Sequence, residues 1–225
     1  RRLARSAGRE DLLSDGSPDE AAALAALPMP VILGGFSSRA LQVVQERNPG
    51  LHFQLGLQSS GSGGSQDLRV SLQPGSSVTI PLITGDMSAA VLGTVTEVAG
   101  DKVYGFGHAW NGIGASQWPM ASGYIHTFIS RSNMSFKLGD PTEIIGAIQA
   151  DEATGIFGRI GAEAVMVPVQ VTVHWAMTGQ QEPFSMRIAQ DSRIDARLAA
   201  MAVINAVLQK GDLPIDHTLS YKVKM

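Results

Sequence analysis

Val167, Val169, Val171 and Val173 alternate with Gln170, Thr172 and His174. Alternation of that kind puts one set of side chains on each face of an extended chain, which a helix cannot do. The same texture runs back to Leu68. Leu68-Val70-Leu72, Val78-Ile80-Leu82 and Val91–Val98 read as strands, with Thr84-Gly85-Asp86 and Ala99-Gly100-Asp101 as turns. Lys102-Val103-Tyr104 follows the second turn as a strand, and Gly105–Gly114 is a glycine-rich loop. Tyr124–Ile129 and Met134–Leu138 read as strands around the polar turn Ser130–Asn133. Glycine at 25 of 225 residues fits a chain of strands and tight turns better than a helical bundle.

Helical patterns flank this stretch. Ser17-Pro18-Asp19-Glu20 is a helix start, with a capping serine and a proline at the first helical position, and Ala21–Leu27 continues it. Val31-Ile32-Leu33 reads as a short strand and Ser37–Arg47 as a second helix. Near the C-terminus, Asp191–Gln209 carries Ile194, Leu198, Met201, Ile204, Val207 and Leu208 at helical spacing, and this amphipathic helix is expected to cover an open side of the sheet. Thr218–Val223 alternates as a final strand would. The chain therefore divides into an N-terminal helical and extended segment (1–58), a glycine-serine linker (59–67), a β-rich domain (68–190) and a C-terminal helix and strand (191–225). The fold class is mainly β with flanking helices.

Composition excludes several kinds of chemistry. With no cysteine, thiol catalysis, disulfides and cysteine-ligated metals are out. A net charge of −3 provides no basic excess for a phosphate backbone, so no nucleic-acid partner is expected. The apolar run Ala199–Leu208 is too short to span a bilayer, and no membrane span is expected. Neither Gly105-Phe106-Gly107 nor Gly61-Ser62-Gly63-Gly64 matches a phosphate-binding or dinucleotide loop, so no cofactor is expected. The five histidines make no HExxH or HxH pair, and no metal site is expected.

His108 is the candidate catalytic residue. It ends Val103-Tyr104-Gly105-Phe106-Gly107-His108, where a strand gives way to a loop, and imidazole there can exchange a proton near neutral pH. The structural alternative is a hydrogen bond from the ring to a loop carbonyl. His126 lies mid-strand, where a cross-strand partner explains it. His174 ends a strand on its polar face, and His52 and His217 read as surface residues. Asp86, Asp101, Asp140 and Asp151 are turn-like acids among which the spacing makes no choice.

Pro74-Gly75-Ser76-Ser77-Val78, Leu82–Ser88 (LITGDMS), Gly93-Thr94-Val95-Thr96, Tyr104–His108 (YGFGH), Pro119-Met120, Ser135–Gly139 (SFKLG) and Gly155–Gly161 (GIFGRIG) occur in that order. This succession, over residues 74–175 with an echo at Leu27–Phe36, resembles the SpoIVB-type serine peptidase domain, especially its variants in large exported bacterial proteins. The resemblance implies a chymotrypsin-like β-barrel portion, a Ser/His mechanism on a protein or peptide substrate, and His108 as general base. The family's nucleophilic serine lies in an SGSP-type motif that this chain lacks. Ser60-Gly61-Ser62-Gly63 has similar letters without the proline, in a linker that supplies no rigid turn. In the exported variants that motif precedes the segment equivalent to Leu27–Phe36, which would put it upstream of Arg1. The expectation is an exported, periplasmic or cell-surface protein, processed ahead of Arg1, whose serine comes from another polypeptide segment or subunit. These 225 residues alone are then inactive. The alternative is a non-catalytic binding module of the same fold in an extracytoplasmic assembly.

Overall fold

The computed structural model describes residues 31–47, 53–55, 71–130, 135–210, 213 and 216–224. In chain order the elements are β1 (Val31–Gly34), α1 (Ser38–Arg47), β2 (Phe53–Leu55), β3 (Ser77–Gly85), β4 (Ser88–Ala99), β5 (Lys102–Gly105), β6 (Gly114–Ile129), β7 (Phe136–Glu152), β8 (Gly155–Ile160), β9 (Met166–Trp175), β10 (Gln180–Ala189) and α2 (Asp195–Leu208). The described residues are mainly β, with two helices among them, the second following the last strand. The helix expected at Ser17–Leu27, the linker 59–67 and His52 lie outside the described residues.

Six strands close on themselves. β3 pairs β4, β4 pairs β5, β5 pairs β8, β8 pairs β7, β7 pairs β6, and β6 returns to β3 through Val78↔Ser122 and Thr79↔Ala121. Every pairing in the ring is antiparallel, and closure removes the unpaired edges that an open sheet exposes. The other strands attach outside the ring. The first part of β4 takes β1 (Val31↔Val91), which carries β2 in parallel. The end of β3 takes β10 (Ile83↔Ile188), and β10 carries β9 along its full length.

Alternation decides what each face of a strand buries. On β4, Ala89, Val91 and Val95 join the main core with Val78, Ile80, Val103, Trp118, Met120 and Ile148. Its other face contributes Ala90 and Leu92 to a second cluster with Ile32 and Leu138. β6 and β7 are long enough for their far ends, carrying Ile125, Ile129 and Leu138, to supply that outer cover.

The helices dock as a pair. Ser37 caps α1, its Oγ accepting the N–H of Ala40 at 3.1 Å. Asn205 of α2 is fully buried and fastens this turn. Its Oδ1 accepts the N–H of Ser37 and its Nδ2 donates to the carbonyl of Gly35, both at 2.9 Å. Leu198 and Met201 are buried, so α2 covers the sheet as its spacing predicted. Two expectations are corrected. Ser71 and Leu72 lie in a loop, and Thr218–Val223 forms no pairing in the described structure. Among the described residues, no helix is long and apolar enough to cross a membrane.

Candidate functional site

His108 lies on the loop between β5 and β6, at the rim of the six-strand ring. Two consecutive residues there take left-handed backbone, Phe106 at φ 70° and Gly107 at φ 75°. This conformation is costly for a phenylalanine, and neighbouring contacts hold it. The N–H of Phe106 donates to the carbonyl of Thr94 at 2.9 Å. Its ring lies over Gly93, where a Cβ would sit 2.1 Å from a ring carbon. From the other side Gly155 closes on the loop, leaving no room for a Cβ beside the carbonyl of Gly105, 2.7 Å away. Residues from three separate motifs, Gly93, Phe106 and Gly155, thus meet at the base of the His108 loop.

The imidazole of His108 is exposed, and its Nδ1 lies 2.7 Å from the carbonyl oxygen of Ala109. A carbonyl only accepts, so in the neutral ring Nδ1 carries the proton. Nε2 then carries the lone pair, with no hydrogen-bond partner among the described residues. A base needs this tautomer, and the second ring nitrogen fixes it, here through a backbone carbonyl.

The rest of the loop is held from below. Asp151, fully buried at the end of β7, accepts the N–H groups of Trp110 at 2.8 Å, Asn111 at 2.7 Å and Gly112 at 2.9 Å. Three donors on one carboxylate compensate for its removal from water and pin the loop. The indole of Trp110 packs edge-on against Trp118, centroids 4.6 Å apart. The Nε1 of Trp118 donates to Asp191 at 2.9 Å, just ahead of α2. Hydrogen bonding from the Arg193 guanidinium, with help from Trp118, holds the Asp191 carboxyl down to about 2. The base of the loop is therefore tied to the start of the C-terminal helix.

The remaining candidates are dispersed. His126 pairs with Asp140 across β6 and β7 at 2.8 Å, the cross-strand partner its position predicted. Asp101 pairs with Arg159, and Asp86 accepts the N–H of Ser185 at 2.7 Å. His174 and His217 are exposed. None of the four turn-like acids is hydrogen-bonded to His108. Among the described residues, no three histidine or acidic side chains gather in a way that could hold a metal ion. The special role of Asp151 escapes a local reading of sequence, because its donors stand 39 to 41 residues earlier in the chain.

Comparison with protein-family models, curated proteins and solved structures finds no match for this chain.

Proposed function

We propose that the chain is the histidine-bearing part of an exported serine peptidase of the SpoIVB type. His108 is its general base, and its nucleophilic serine is supplied by polypeptide outside these 225 residues. The observation that carries this reading is the imidazole itself. It is exposed at the rim of a closed antiparallel ring, its Nδ1 is engaged by a carbonyl, and its Nε2 has no hydrogen-bond partner among the described residues. In the acylation step Nε2 takes the serine hydroxyl proton as the oxygen attacks the peptide carbonyl. It then returns that proton to the leaving amine. A six-stranded closed ring supports a chymotrypsin-like barrel portion, and the convergence of Gly93, Phe106 and Gly155 gives the ordered motifs a common structural purpose.

The second reading is a binding module of the same fold without turnover. It is favoured by the partner of Nδ1, a neighbouring carbonyl rather than a carboxylate, which suffices to hold a loop. A fluorophosphonate probe on the full-length protein separates the two. Stoichiometric labelling of one serine supports the peptidase, and the absence of labelling in folded protein supports the module.

A further inference from the structure

Strand β9 ends the sheet, and among the described residues nothing pairs with its far side. The direction of its backbone groups follows from its neighbour. Ser185 of β10 spends both its N–H and its carbonyl on Asp86, on the side away from β9. Gln170 faces Ser185 in the register, and N–H and carbonyl directions alternate along a strand. The main-chain groups of Gln170, Thr172 and His174 therefore point out from the free edge, with Pro168 in the same phase.

The chain also holds a strand-like segment without a sheet. Leu219, Tyr221 and Val223 alternate with Ser220, Lys222 and Lys224, and their side chains are 59%, 85% and 71% exposed. Its pattern matches that of β9, where Val169, Val171 and Val173 pack toward the core and Gln170, Thr172 and His174 face water. Its root lies beside the edge: Lys210 pairs with Glu182 at 2.9 Å and sits 5.7 Å over the ring of Trp175, at the end of β9. Within one chain the segment nevertheless stays off its own edge, with its apolar residues in water.

We infer that residues 218–224 of one copy add as an antiparallel strand to the β9 edge of a second copy, reciprocally, in a two-fold dimer. The main-chain groups of Gln170, Thr172 and His174 gain partners. Leu219, Tyr221 and Val223 extend the valine face, and both lysines stay on the wet face. Reciprocal exchange of a strand between identical chains closes without leaving an open end.

Sedimentation of the protein across a concentration series, with hydrogen exchange at the β9 amides, tests this. The expected result is a concentration-dependent dimer with slowed exchange at Gln170, Thr172 and His174. Tyr221→Asp with Val223→Asp, at exposed positions where folding is untouched, weakens it by about tenfold or more. Gln170→Pro, which removes a donor that β10 does not use, does the same. A monomer throughout the series, a dimer indifferent to both variants, or β9 amides protected in a monomer by its own tail each overturn the inference.

Discussion

Asp151 accepts the backbone N–H of Trp110 at 2.8 Å, joining the end of β7 to the loop that presents His108. With Asn111 and Gly112 on the same buried carboxylate, Asp151→Ala strands three donors. The expected cost is roughly 2–4 kcal/mol in denaturant unfolding, with faster amide exchange at 110–112. Asp151→Asn retains one acceptor oxygen and recovers part of that loss. A change below about 0.5 kcal/mol in Asp151→Ala would mean that the loop is held by other contacts.

Gly93 and Phe106 form a testable pair. Gly93→Ala places a methyl 2.1 Å from the ring of Phe106, so the ring or the strand must move. Overpacking of this kind costs about 1–3 kcal/mol. In a Phe106→Ala background the same methyl meets no ring, and the penalty falls. A double-mutant cycle on unfolding free energy reads the difference, and strict additivity would contradict the contact.

How much of this was legible in sequence depended on where each partner lies. Val167 to Val173 alternated visibly, and β9 is where that pattern placed it. The sequence pattern marks a strand only as far as Leu138, whereas β7 runs on to Glu152. In the fold Gly139 and Gly146 are sites of close approach, where a Cβ would lie 2.1 Å from the carbonyls of Tyr124 and Arg159. Strand β10 carries no strand signal at its start, since Gln180-Gln181-Glu182-Pro183 lacks strand-forming residues, and it pairs with β9 along its full length. His108 stood out through its flanking glycines. Asp151 did not, because burial distinguishes it from the other turn acids and burial is a tertiary property.

Asn205 couples the two helices. Asn205→Ala leaves the N–H of Ser37 and the carbonyl of Gly35 without side-chain partners in a half-buried turn. Unfolding should lose about 2–4 kcal/mol, and Asn205→Asp, which keeps an acceptor, loses less of it. A neutral Asn205→Ala would show that helix docking rests on apolar packing and on the bond from Ser37 Oγ to the carbonyl of Leu208.

Asp191 gives the fold a defined acid sensitivity. Its carboxyl is held at about 2, below the ordinary 3.8, chiefly by hydrogen bonding from Arg193. A lowered acid stabilises the folded state fully above the unfolded value and loses that contribution as pH falls through the folded one. Stability should therefore fall between about pH 4 and pH 2 from this group. Arg193 is exposed, so the contribution is about 1 kcal/mol or less. Asp191→Asn removes the drop while leaving an acceptor for Trp118. An unchanged acid profile in that variant would place the sensitivity elsewhere.

The rate at which a fluorophosphonate phosphonylates the serine, with loss of fluoride, compared between the native full-length protein and His108→Ala, bears most directly on the assignment of His108 as base. The predicted result is a fall of about 100-fold or more in the phosphonylation rate, with the sheet intact by circular dichroism. Equal rates in the two proteins would contradict it.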